Sequence, residues 1–202
     1  MNSHDLSTIE VELKFRVENL ELLRERLLSM GALPSVTESH QDTYFRHPCR
    51  DFAETREALR IRRVEVVRAN NNDLDEPADE ARVTYKGPPL AGDVKARHEL
   101  EWALQPSDPD GQNLQRLLVF LGFSAVTTVR KSRRSMTLVR AGRAVTLALD
   151  EVVEVGTYVE VEVLAEGEKD VATAREIVGK LAAELNLVEP ERRSYLSLLL
   201  GK

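Results

Sequence analysis

Residues 10–14 read Glu-Val-Glu-Leu-Lys, and the spacing of their charges decides how the chain folds. In a strand, side chains two apart share a face, so Glu10, Glu12 and Lys14 project to one side and Ile9, Val11, Leu13 and Phe15 to the other. Two carboxylates held about 6.6 Å apart repel by roughly 2.5 kcal/mol at an effective dielectric near 20. A cation set against them would offset that cost. A single strand of this kind is also what any half-buried sheet with a solvated face produces, so the reading turns on whether other strands repeat it.

Most of them do. The same-face sets are Arg60 and Arg62 in ALRIRR, Thr84 and Lys86 in TYKG, and Lys95, Arg97, Glu99 and Glu101 in VKARHELEWAL. They continue with Lys131 and Arg133 in VRKSRR, Asp150 in ALDEV, and Glu160 and Glu162 in YVEVEV. The alternate positions are apolar: Val83 and Tyr85, Leu100 and Trp102, Leu147 and Leu149, and Val159, Val161 and Val163. Between the strands lie segments of helical period. Leu20, Leu23 and Leu27 follow Asn19, an N-cap, and precede Gly31, a stop; Leu114, Leu117, Leu118 and Leu121 precede Gly122. Residues 168–186 place Val171, Ile177, Val178, Leu181 and Leu185 on one face, and the tail from Pro190 through Tyr195 to Leu200 reads as a short packing helix. QDTYF reads as a short strand, HPCRDFAETRE as a loop, PPLAGD as a turn, and residues 69–81 as an acidic hairpin loop.

The pattern predicts an α+β fold: an antiparallel, eight-stranded closed β-barrel with a charged interior and helices packed outside. A flat sheet with helices on one face is the competing architecture. Segregation by sign favours closure, since whole strands are basic and others acidic. The order strand, helix, glycine occurs twice about 90 residues apart, so the chain is expected to form a single domain, 1–202, with two related halves over roughly 8–90 and 95–190.

Bulk composition narrows the function classes. The chain has 202 residues, 42% hydrophobic and 31% charged, enough for a real core. Its net charge of −6 argues against general affinity for a nucleic-acid backbone or an anionic membrane. Cys49 is the one cysteine, so neither an internal disulfide nor a thiolate zinc cluster can form. MNSHDLSTIE has no signal-peptide pattern and no apolar run is long enough to span a bilayer, which leads to the expectation of a cytoplasmic protein. A homodimer is left open. His47 and Cys49 lie in the loop-like segment without partners, and His98 alternates away from the charged set; neither reads as a ligand. No P-loop, Rossmann, zincin or nucleophile-elbow motif is present.

Several lysines and arginines converging in an enclosed lumen call for a multiply charged anion such as a polyphosphate. The glutamates among them would repel that anion unless a hard divalent cation, Mg²⁺ or Mn²⁺, bridged carboxylate and phosphate oxygens. At this point the sequence resembles a known family. EVELK, followed in order by ALRIRR, TYKGP, HELEW, VRKSRRS, ALDEV and VEVEV, resembles the CYTH superfamily, the triphosphate tunnel metalloenzymes, over nearly the full length. DTYFRHPCRDFAETREALRIR is closest in pattern to its class IV adenylyl cyclase-like branch.

The resemblance implies a small-molecule triphosphate substrate: ATP converted to cyclic AMP and pyrophosphate, or tripolyphosphate or thiamine triphosphate hydrolysed, with a non-catalytic polyphosphate-binding module as a third reading. It implies metal ligands at Glu10, Glu12, Asp150, Glu160 and Glu162. Phosphate binding falls to Lys14, Arg60, Arg62, Lys86, Lys131 and Arg133. Catalytic roles fall to Lys86, Glu101 and Asp150, with Glu99 and Glu101 as acids that position cations or activate water.

Overall fold

Val11, Leu147, Val159 and Val161 have no solvent exposure at all, while Glu10, Glu12, Glu160 and Glu162 turn to the opposite side of the same sheet. Two faces with such different company need two separate environments, and the chain supplies both. The computed structural model describes residues 8–67, 80–92, 94–104 and 107–201. Its strands are β1 (Thr8–Arg16), β2 (Leu33–Arg46), β3 (Ala58–Val67), β4 (Glu80–Pro89), β5 (Lys95–Ala103), β6 (Ser124–Arg140), β7 (Arg143–Val152) and β8 (Gly156–Ala165). They close into an antiparallel barrel in the order β1-β5-β4-β3-β2-β6-β7-β8. Closure occurs at β1, which pairs Glu12 with Lys95 on β5 and with Glu162 on β8. The closed ring leaves no unpaired sheet edge, and the charged face becomes the lumen.

Helices cover much of the outer, apolar face. In α1 (Leu20–Ser29) the Asn19 side chain accepts the Leu22 N–H at 2.9 Å, Leu20, Leu23 and Leu27 are buried, and Gly31 leaves the helix at a φ of +87°. The predicted third helix opens as a 3₁₀ turn, Glu168–Asp170, and continues as α4 (Val171–Glu184). Ile177, Val178 and Leu181 of α4 join the outer faces of β1 and β8 and the buried face of α1 in the largest core cluster. Each fully buried leucine there contributes about 1.5–3 kcal/mol relative to exposure.

The remaining elements depart from the periodic reading. β2 spans 14 residues, where QDTYF alone reads as a strand. The loop-like segment carries a short helix, α2 (Phe52–Thr55), capped by the Asp51 carboxylate, which accepts the Ala53 N–H at 2.8 Å. PPLAGD is a turn only in part, because β4 runs through Pro89 after an irregularity in its pairing with β5. In α3 (Gln112–Phe120), Leu118 is buried with Phe45 and Ile61, but Leu117 and Leu121 are exposed rather than sharing one covered face. Gly111 sets that geometry: a Cβ there would lie 2.5 Å from the Ile61 side chain, so the helix starts close against β3 and touches the sheet along one row.

Trp102, expected on a covered face, is 56% exposed because the described helices leave that part of β5 open. His47 packs against Phe52 and Phe123 and accepts the Cys49 N–H through Nδ1, a packing role, and His98 faces outward, 3.9 Å from Glu168. Of the acidic segment 69–81, only Glu80 and Ala81 fall among the described residues, where they open β4. The tail forms α5 (Tyr195–Leu199), which seals one end of the barrel instead of lying on its wall: Tyr195 is buried with Tyr44, Val129, Val152 and Tyr158.

Leu181→Ala, in the α4 core, is expected to lower unfolding free energy by about 2–5 kcal/mol. Phe120→Ser, at an 87% exposed position of α3, should change it by less than about 0.5 kcal/mol. Urea titration of both variants measures the contrast.

Candidate active site

The lumen is divided by sign. On one side, Glu10 and Glu12 of β1 and Glu162 of β8 bring a carboxylate oxygen each to within 4.8 Å of one another. At that spacing each pair repels by about 3.5 kcal/mol at an effective dielectric near 20. Partial compensation comes from Lys86, whose Nζ donates to Glu10 at 2.5 Å and lies 2.8 Å from Glu99, and from Lys95, 3.2 Å from Glu12. Arg133 reaches Glu162 only at 3.7 Å. Burial and then repulsion from Glu10 hold the Glu162 carboxyl well above the usual carboxylate range. Burial also raises Glu10, with Lys86 resisting and Glu99 adding to it. Three enclosed, hard oxygen donors short of positive charge fit a divalent cation of the Mg²⁺ or Mn²⁺ type.

Across the lumen, β2 stands four strands from β1 in either direction around the ring. Its Asp42 accepts two hydrogen bonds from Arg62, at 2.7 and 2.8 Å, and one from Arg60 at 3.2 Å. Burial alone would raise the Asp42 pKa; Arg62 and Arg60 outweigh it and hold the group far below the usual range. A second aspartate repeats the device. Asp150 accepts from Arg133 at 2.7 and 2.6 Å, from Lys131 at 2.9 Å and from the Tyr195 hydroxyl at 2.9 Å. Arg133 also donates to Glu160.

These contacts sort the expected metal ligands. Glu10, Glu12 and Glu162 are brought together; Asp150 and Glu160 are not. Asp150 is fully buried with its oxygens already engaged by cations and a hydroxyl, and Glu160 is turned to Arg133, so both orient cations in this arrangement. Burial would raise Glu160, but Arg133, Lys131 and Lys14 hold it well below its ordinary value. Glu101 is likewise occupied, accepting the Thr84 hydroxyl at 2.6 Å with Arg82 at 3.3 Å and Arg60 at 3.9 Å. Of the candidate catalytic groups, Lys86 alone sits at the acidic triad.

At the sealed end, Lys14 donates to the Arg193 carbonyl at 2.5 Å and lies 4.2 Å from the centre of the Tyr195 ring, with Lys131 at 5.2 Å from the same ring. Tyr158 meets that ring edge-on. Burial, Glu160 and Asp150 raise the Tyr195 hydroxyl, which stays protonated and donates.

Sequence reasoning missed Glu38, His40 and Asp42, and the part played by Tyr195. The first three repeat the two-residue spacing of EVELK, but Ser39 and Gln41 between them are polar, so no apolar alternation marks the strand. His40 is buried with Nε2 2.8 Å from Glu38 and Nδ1 unpartnered. Burial first, then Arg62, Lys131 and Arg133 against Glu38, push it down to about 4, so the ring is neutral at neutral pH.

A closed β-tunnel with an acidic triad facing arginine and lysine forks defines a class of protein built to enclose a polyanion together with a cation. The chain belongs to the CYTH family: the model described as CYTH domain matches residues 8–195. It is 29% identical over 192 residues, 94% of this chain and 98% of the relative, to a Methanocaldococcus jannaschii protein named "Putative adenylate cyclase MJ0240". Among solved structures, PH1819 protein from Pyrococcus horikoshii OT3 is 37% identical with a TM-score of 0.80, covering 95% of this chain and 98% of that one. PH1012 protein from the same organism is 28% identical with a TM-score of 0.70, covering 94% and 99%.

Glu162→Gln should leave the melting temperature in EDTA unchanged or slightly raised, since a like-charge cluster is relieved, and should remove most of the rise that Mn²⁺ produces. Asp150→Asn strands Lys131 and Arg133 beside a neutral amide and should cost about 3–5 kcal/mol. Scanning calorimetry of both variants, with and without Mn²⁺, checks the pair. A pH dependence follows from Lys131, which burial and Arg133 lower from 10.5 to about 8 against the pull of Asp150. Between those values the unfolded chain binds the proton that the folded one has lost, so this group makes stability rise with pH there. Anion affinity should fall over the same interval. Calorimetric titration of tripolyphosphate in two buffers of different ionisation enthalpy should show proton uptake above about pH 8.

Proposed function

We propose that the tunnel binds a triphosphate with Mg²⁺ or Mn²⁺ and that the reaction is cyclisation of ATP to cyclic AMP and pyrophosphate. The observation that carries this reading is the order of groups along the lumen. Glu12 belongs to the triad, and Lys14, one inward-facing step nearer the sealed end, belongs with Lys131 and Tyr195. A triphosphate entering from the opposite end meets Lys14, Lys131 and Arg133 with its innermost phosphates and the triad with the phosphate next to the nucleoside. A bound metal supplies Lewis-acid polarisation of phosphoryl oxygens there and neutralises the triad.

The chain's own groups do the rest. Arg62 and Arg133, held in fixed orientation by Asp42 and Asp150, present planar forks to phosphate oxygens, and Lys86 can exchange Glu10 for phosphate without leaving its place. Charge that builds on departing pyrophosphate therefore meets fixed donors that need no reorganisation. The name of the M. jannaschii relative is in keeping with this reaction. Among the described residues no helix is long and apolar enough to cross a membrane, and a nucleotide substrate fits the cytoplasmic placement expected from the sequence.

A second reading, hydrolysis of the terminal phosphate, has one observation in its favour. Glu99 lies beside Lys86, with a buried oxygen 2.8 Å from the Lys86 ammonium, and a carboxylate so placed can take a proton from water.

Incubation with ATP, tripolyphosphate and thiamine triphosphate in parallel separates the readings. Cyclic AMP with pyrophosphate is the expected outcome; orthophosphate release without cyclic AMP transfers the assignment to hydrolysis, and no turnover of any substrate leaves a polyphosphate-binding module. Glu12→Gln should lose activity at limiting Mn²⁺ and regain part of it at high Mn²⁺. Arg62→Lys keeps the charge beside Asp42 but loses the two-pronged geometry, so its activity should fall about tenfold or more and stay low at every metal concentration.

A further inference from the structure

β2 turns Glu38, His40 and Asp42 into the lumen, and of these only Asp42 holds the phosphate-binding cations. His40 is 3% exposed, with Nε2 2.8 Å from a Glu38 carboxylate oxygen and Nδ1 buried without a hydrogen-bond partner among the described residues. The hydrogen bond from His40 holds the Glu38 carboxyl below its usual range, so this group is ionised and can only accept. The ring nitrogen that faces it therefore carries the proton. Burial, then Arg62, Lys131 and Arg133, keep the ring neutral, which leaves Nδ1 as an acceptor. Those three cations direct their hydrogen bonds to Asp42, Asp150 and Glu160 instead.

The position of His40 along the tunnel says what kind of donor reaches it. Counted from the sealed end, the inward-facing residues of β2 are Tyr44, clustered with Tyr195, then Asp42, His40 and Glu38. Those of β1 are Lys14, over the same Tyr195 ring, then Glu12 and Glu10. His40 thus stands two inward-facing steps from the sealed end, about 13 Å along its strand. On this side of the lumen the charged lining stops there. Val64 and Val66 are the cross-strand neighbours of His40 and Glu38, while Arg63 between them turns away to donate to the Asp110 carbonyl at 2.6 Å. Ser135 and Ala148, paired with each other, follow Arg133 and Asp150 on the same inner face.

We propose that His40 is a specificity-determining residue of the tunnel, whose Nδ1 accepts a hydrogen bond from a ribose hydroxyl of a nucleoside triphosphate while Val64 and Ala148 border the nucleoside. The inference rests on the reading that a triphosphate enters with its terminal phosphate toward the sealed end. An ionised phosphate chain offers acceptors only and cannot satisfy Nδ1. The sugar is the next group along, and its hydroxyls are the first neutral donors to come level with His40. Glu38 holds the ring in the tautomer that accepts. Nδ1 is covered, as Lys14 and Lys131 are, so a ligand that parts the lysines uncovers it as well. The cations hold any triphosphate alike; His40 lets the tunnel tell a ribonucleotide from a bare phosphate chain.

The test reads binding instead of turnover, with Mn²⁺ and three ligands whose bridging oxygens are replaced by methylene: the bare triphosphate, its adenosine ester and its 2′,3′-dideoxyadenosine ester. Calorimetry on wild type should show the adenosine compound binding about five- to tenfold more tightly than the dideoxy compound. In His40→Leu that ratio should fall to about one, with affinity for the bare triphosphate unchanged within about twofold. His40→Asn, which puts an amide oxygen near the place of Nδ1, should recover part of the ratio. Melting temperatures report whether the variants fold, and His40→Phe is the acceptor-free replacement should His40→Leu fail to. Equal binding of the two nucleoside compounds by wild type, a ratio that persists in the acceptor-free variant, or equal weakening of all three ligands overturns the proposal. Absence of cyclic AMP in a turnover assay removes the cyclase reading and leaves the ratio standing, whereas failure of wild type to bind any of the three ligands overturns the tunnel reading and this inference together.

Discussion

Two buried aspartates hold the cationic half of the lumen in place. Asp42 gathers Arg60 and Arg62, and Asp150 gathers Lys131, Arg133 and the Tyr195 hydroxyl. Bringing such charges out of water costs several kcal/mol per ion, and the mutual attraction repays it only where geometry and hydrogen bonding are complete. Both aspartates meet that condition through cross-strand neighbours: Asp42 is in register with Arg62, and Asp150 with Arg133. An apolar core would give stability more cheaply. What the ion pairs add is a set of forks whose direction is set before any ligand arrives.

The acidic half is built on the opposite principle. Glu10, Glu12 and Glu162 converge with too little positive charge around them, and Lys86 and Lys95, which partly relieve them, come from β4 and from β5, the strand beside β1. One wall is thus complete in itself and the other is deficient in cation. The lumen as a whole is suited to receive an anion and a cation together. Barrel closure is what makes the contrast possible, because a flat sheet would have left both sets of charges in water, where each pair is worth little.

The C-terminal segment converts the barrel from a through-passage into a lumen with one defined end. Tyr195 fills that end with an aromatic face toward Lys14 and Lys131 and a hydroxyl toward Asp150. It touches two cations of the phosphate-binding set at once. The tail therefore takes part in the geometry of the site as well as in packing.

Two-residue alternation in EVELK, ALRIRR, HELEW and YVEVEV carried the barrel and its charged interior, because a strand's side-chain period is independent of what it packs against. The sequence pattern carried α1 and α4 as well, through apolar stripes of helical period and, in α1, the Asn19 cap. It missed β2, where polar Ser39 and Gln41 hide the alternation of Glu38, His40 and Asp42, and it misread the face of α3, whose contact with the sheet depends on the close approach at Gly111. Nor could it divide the acids by role. Whether a glutamate or aspartate joins the triad or orients an arginine depends on which strand lies beside it and in what register, as the pairing of Glu12 with Glu162 and of Asp150 with Arg133 shows. Those are relations between residues far apart in the chain, and only the closed barrel determines them.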